Sequence, residues 1–140
     1  MTGYTANTPA TDTEAAPPPA RRRWANIALW VVQILLAALF AFAGINKLVG
    51  AQPEVIAGFE QIGLGQWFRY FTGTAELAGA VGLLIPRLTP LAAVGLACVM
   101  VGAVIAHLLV LPPPALALIP AVLGTVFVLI ARARFKERVR

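Results

Sequence analysis

A carboxylate set in an apolar run has to be paired, neutralised or put to use, and Glu76 is such a group. If the run is helical, Glu76 lies about 8–13 Å below the aromatic pair Trp67 and Tyr70, at 1.5 Å per residue. An acidic residue at the centre of a membrane helix costs about 2.5–3.5 kcal/mol on insertion scales, so something must offset it. Its helical neighbours Gly73, Gly79 and Ala80 are small. Small residues let helix backbones approach, which turns Glu76 toward a bundle interior rather than lipid. Two roles fit. Glu76 contacts a ligand, a proton or a quinone, or it holds two helices together through a charge pair or hydrogen bond.

Two further ionisable residues fall at a similar level. Gln33, Ala37, Ala41, Gly44 and Lys47 recur at helical spacing as one small, polar stripe with Lys47 at its outer end. Lys47 either snorkels to the headgroups or partners Glu76. His107 is either a hydrogen-bonding interface residue or a ligand-contacting one. A basic partner would hold Glu76 ionised, with Lys47 favoured and His107 second; without one the acid would enter the bilayer neutral. Cys98 shares a stripe with Gly95, Gly102 and Ala106 and reads as a small packing residue. A single cysteine excludes an internal disulfide and unaided dithiol chemistry, and a single histidine excludes a cluster of histidine metal ligands. The glycines expected to let helices pack are Gly44, Gly73, Gly79, Gly95 and Gly102.

These residues need helices in a bilayer to position them. Of 140 residues, 59% are apolar and 12% charged, against about 25% charged in a soluble domain. The mean hydropathy is +0.81. The expected fold is an all-α membrane protein, a four-helix transmembrane bundle over 24–131 with spans at about 24–45, 67–85, 88–110 and 115–131. The Thr-, Ala- and Pro-rich residues 1–23 form a disordered cytoplasmic tail, because they cannot bury enough apolar area to offset ordering. Residues 132–140 form a basic cytoplasmic tail that contacts anionic lipid. No cleavable signal peptide is expected, since the apolar run 25–45 is longer than a signal core.

The breaks between spans are Pro-rich or Gly-rich. Thr89 is expected to cap span three with Pro90 in the first helical position. Pro112, Pro113 and Pro114 stop that span, and Pro120 either kinks the short fourth one or sits in its first turn. Residues 53–60 suit a short interfacial helix ended by Gly63 and Gly65. A faint repeat links the ends of spans one and three: Ala43, Ile45, Lys47 and Leu48 match Ala103, Ile105, His107 and Leu108.

The sequence pI of 10.4 does not point to nucleic acid, because the basic residues flank apolar runs instead of forming a stripe. They set topology. With the N-terminus inside, nine Lys and Arg lie on the inner side and only Lys47 and Arg69 on the outer. That asymmetry predicts a cell-membrane protein with both termini cytoplasmic and an even number of spans.

Three segments carry a resemblance: Phe42 to Leu48 (FAGINKL), Gly63-Leu64-Gly65, and Gly73 to Ala80 (GTAELAGA), joined by 100–107 on span three. Together they resemble the DoxX-like family over about residues 27–131. The resemblance implies a four-helix membrane protein in which Lys47 and Glu76 mark a shared polar site. The family is named for a relative in a thiosulfate:quinone oxidoreductase, and other members are linked to membrane redox complexes and oxidative-stress defence. The expected function is an accessory subunit of a quinone-linked membrane redox system, not catalytic alone. Quinone is the expected cofactor and none is bound covalently, since one His and one Cys cannot hold haem or an iron–sulfur cluster. Expected partners are the lipid bilayer and a membrane or extracytoplasmic oxidoreductase, with self-association left open. The alternatives are a small proton-coupled transporter and a non-catalytic scaffold. Small multidrug exporters carry their glutamate in the first helix, whereas span one here offers only Gln33.

Overall fold

The computed structural model describes residues 19–140. The expected disordered tail therefore falls mostly outside the described residues. Where it is described, it differs from expectation: α1 (Ala20–Val49) already begins at Ala20, so Arg21 to Arg23 are helical. Arg is a good helix former, and Pro19 just before the helix presents no N–H to satisfy.

Helix α1 ends where Gly50 takes φ 64° and donates its N–H to the carbonyl of Asn46 at 3.0 Å. Only a residue without a Cβ enters this left-handed turn freely. A short helix α2 (Pro53–Ile62) follows, with Pro53 in its first turn and no buried residue. Gly63 ends α2 and Gly65 starts α3 (Gln66–Leu84). Helix α4 (Thr89–Leu109), a short 3-10 turn (Pro114–Ala117) and α5 (Leu118–Val139) complete the chain. Among the described residues the regular structure is all helical, in five α-helices: the four long ones and the short helix expected around 53–60.

Two local expectations change. Leu88, not Thr89, caps α4. The Thr89 hydroxyl instead donates to the carbonyls of Leu83 and Ile85 at 3.1 and 3.0 Å, tying the start of α4 to the end of α3. The basic segment 132–140, expected as a tail beyond span four, continues α5, which runs unbroken to Val139. Pro120 lies in the first turn of α5, where a missing N–H costs little.

Helix α1 packs on α3 and α4 on α5, with α3 and α4 joining the two pairs. Leu36, Phe40, Leu83, Leu96, Met100, Phe127 and Ile130 form the centre of the core. Phe40 meets Phe127 edge to face at 5.0 Å. The α1–α3 contact is close because of two glycines. A Cβ on Gly44 would lie 2.7 Å from the Gly73 carbonyl oxygen, and one on Gly73 would lie 3.0 Å from that of Gly44. The repeat seen in the sequence has a structural counterpart. Gln33, Leu36 and Phe40 are buried on α1, and sixty positions later Ala93, Leu96 and Met100 are buried on α4.

Large apolar side chains face outward, among them Ile34, Leu35, Leu91, Val101, Leu118 and Leu129. That surface suits lipid. Among the described residues, three stretches, Ala20–Val49, Thr89–Leu109 and Pro114–Val139, are long and apolar enough to cross a membrane. Helix α3 has 19 residues but carries Arg69 and Glu76, both buried, which lower its hydropathy.

Candidate functional site

Charged side chains cluster at the two ends of the α1–α3 pair. At one end, the last turn of α1 presents Lys47, and its ammonium donates to Glu76 Oε2 at 2.7 Å. The favoured sequence expectation for Glu76 is thus what the structure brings together. The Glu76 side chain is 5% exposed and that of Lys47 19%. The pair works because Gly44 and Gly73 draw the helices together beside it: a Cβ on Gly73 would stand 3.0 Å from Lys47 Cβ. A charge-assisted bond between partly enclosed groups is also stronger than one in water.

Arg69 joins this end and was treated in the sequence only as a topology charge. It is 5% exposed. Its Nη1 donates to the Lys47 carbonyl, and its Nε donates to Gln66 Oε1 at 2.7 Å. The guanidinium lies 4.4 Å from the centre of the Tyr70 ring. The last carbonyls of a helix lack intrahelical partners and carry partial negative charge, so a cation there caps α1. Its position was legible: Arg69, Gly73, Glu76 and Ala80 follow one another at helical spacing and are all buried on α3. The cluster holds two cations and one anion.

His107 does not join it. It makes no hydrogen bond to Lys47 or Glu76, and its Nδ1 is buried without a partner among the described residues. Cys98 is exposed and free. Gly44, Gly73 and Gly79 sit at helix contacts, Gly79 against Leu96, where a Cβ would fall 2.6 Å from the leucine. Gly95 and Gly102 do not. A Cβ on either meets nothing within 4 Å, so their expected packing role within the chain is corrected. They lie on the face of α4 turned away from Ala93, Leu96 and Met100.

At the opposite end, Gln33 is fully buried. Its amide donates to the Leu83 carbonyl at 3.0 Å and accepts from Arg134 Nε at 2.8 Å. Arg134 also donates to Asn26 and Glu137 and lies over the Trp30 ring. Arg138 donates to the carbonyls of Pro86 and Arg87. The sequence reading assigned Arg134 and Arg138 to lipid contact. Their spacing from the buried Phe127 and Ala131 was the available signal that they turn inward.

Among the described residues, no group of three or more His, Cys, Asp or Glu side chains could hold a metal ion. No curated protein and no solved structure matches the chain. The DoxX-like family model matches residues 31–130, which includes Lys47, Arg69 and Glu76 and the whole of α3 and α4, whereas Asn26, Trp30, Arg134 and Arg138 lie outside it. The chain belongs to the DoxX-like family and is a membrane protein of that family.

Proposed function

We propose that this protein is a non-catalytic accessory subunit of a quinone-linked membrane redox system, crossing the bilayer four times with both termini cytoplasmic. The observation that carries the non-catalytic part is the closure of the Lys47–Glu76–Arg69 cluster. Its charges satisfy one another and the end of α1. Neither the groove between α4 and α5 nor that between α3 and α4 is lined by any of the three. Such a cluster fixes helices and presents a surface; it is not a chamber for turnover. The Lys47 ammonium keeps some exposure and can donate to a quinone carbonyl or a partner's carboxylate. Phe59, Trp67, Phe68 and Phe71 form an aromatic group on α2 and α3. Electrons would pass through a partner's cofactor. The redox assignment itself draws on the family relationship.

Four crossings are supported by the inward burial of both α3 charges, which leaves Phe71, Val81 and Leu84 on its outer face. The nine-to-two split of Lys and Arg supports the orientation. One-sided reporters fused at each terminus test both points, and opposite signals from the two ends would remove the four-crossing arrangement.

The function is tested by affinity capture of the full chain from membranes in mild detergent, followed by identification of partners. A co-purifying oxidoreductase whose quinone reduction falls when this chain is deleted is the expected result. Unchanged quinone reduction in membranes lacking the chain would overturn the redox reading. Proton-coupled uptake by proteoliposomes holding only this chain would favour a transporter instead.

A further inference from the structure

We propose that the α4–α5 half holds one acyl chain of a glycerolipid in the groove between its helices, with the lipid's ester carbonyl accepting a hydrogen bond from His107. The groove has a volume of about 290 Å³, and Met100, Val101 and Val104 line it from α4 and Pro120, Gly124 and Val128 from α5. Its one hydroxyl, on Thr125, is already donated to the Ala121 carbonyl at 2.9 Å, so the groove offers an apolar surface. Its flanks, Val101 and Val128, are exposed on the lipid-facing surface of the bundle. Pockets that take whole small molecules run from about 300 to 1,000 Å³. A space at the bottom of that range, open along its side, suits a single chain better than a ring system.

His107 supplies the polar end. Met100, Val104 and His107 follow at helical spacing on one face, so His107 stands one turn beyond the groove toward the end of α4. Glycerolipid ester carbonyls lie at that level, between headgroup and chain. His107 occupies the place in α4 that Lys47 occupies in α1, two residues before the helix ends. Asn46 and Ala106, the residues just before them, each accept two backbone N–H groups from the following turn. Lys47 has Glu76, but α5 carries no acid before Glu137. His107 is accordingly left unpaired, with Nδ1 buried and the ring partly exposed. An orphaned buried N–H is rarer than an orphaned acceptor, so the proton belongs on Nε2, which then donates outward.

The test uses the full chain purified in detergent and two probes: dioleoyl phosphatidylcholine and its dialkyl-ether analogue, which has the same headgroup and chain length but no ester carbonyl. Native mass spectrometry reads lipid retained per chain. We expect one diester lipid retained, with the diether analogue retained roughly three- to tenfold less, the range of one hydrogen bond. His107→Leu should erase that difference, and Val101→Trp, an exposed position, should lower retention of both lipids by filling the groove. Equal retention of the two lipids by the unaltered chain would overturn the role of His107. Unchanged retention in Val101→Trp would overturn the groove, and displacement of the lipid by equimolar decylubiquinone would make the occupant a quinone instead.

Discussion

Exchanging Lys47 for Met should cost the fold more than exchanging Glu76 for Gln, although both break the same 2.7 Å pair. The asymmetry comes from burial, since the Glu76 side chain is 5% exposed and the Lys47 side chain 19%. Without Lys47 the enclosed acid either stays charged and uncompensated or takes up a proton to become neutral, and breaking a buried pair in this way costs up to about 3–5 kcal/mol. In Glu76→Gln the new amide oxygen still accepts from the ammonium, and the lysine stem can still carry its charge toward the headgroups. About 1–2 kcal/mol is expected there, the worth of one charge-assisted hydrogen bond replaced by a weaker one. At roughly 4 °C per kcal/mol for a chain of this size, the losses are up to roughly 12–20 °C and roughly 4–8 °C. Tryptophan fluorescence of the full chain, heated in detergent, measures both. The double variant should melt above Lys47→Met alone, because a neutral amide in place of the carboxylate leaves no buried charge behind, with a coupling of about 1–3 kcal/mol. Strictly additive losses, or a larger loss for Glu76→Gln, would refute the pairing argument.

Three other outcomes follow from the packing. Gly44→Leu and Gly79→Leu should each lower the melting temperature by at least about 8 °C, roughly 2 kcal/mol of overpacking, because their added atoms would meet the α3 backbone and Leu96. Gly95→Leu and Gly102→Leu should change it by less than about 2 °C in the same assay, since both positions are open. Arg134→Ala should cost about 1–3 kcal/mol by leaving the Gln33 amide oxygen buried and unpaired, and Arg134→Lys should recover little of it, because an ammonium cannot reproduce the guanidinium fork reaching Gln33 and Asn26.

Helix positions were legible because each long helix is one apolar run bounded by glycine or proline. The Lys47–Glu76 pair was legible for a different reason: a carboxylate at that depth has few affordable partners. Arg69 was missed because it was counted only as an outer topology charge, whereas its spacing from Glu76 put it inside. Gly95 and Gly102 were misplaced because α4 is apolar on every side, so composition does not say which stripe faces the core. That choice was made by Leu96 docking on Gly79, a contact between helices. The docking of Arg134 and Arg138 was hidden for a similar reason, since a basic cluster beside an apolar run reads the same whether it faces water or a carbonyl.

An order of assembly follows from the 101 positions that separate Gln33 from Arg134. Chains emerge from the ribosome N-terminus first, so α1 reaches the bilayer long before α5 exists. The Gln33 amide gains its acceptor, the Leu83 carbonyl, once α3 has been made. Its oxygen must wait for Arg134. During that interval the nascent hairpin carries an unmet acceptor at a position that ends up fully buried. The helix that arrives later thus completes the earlier ones: a chain halted before α5 leaves the Gln33 and Asn26 amide oxygens, the Pro86 and Arg87 carbonyls and the Phe40 ring without their α5 partners.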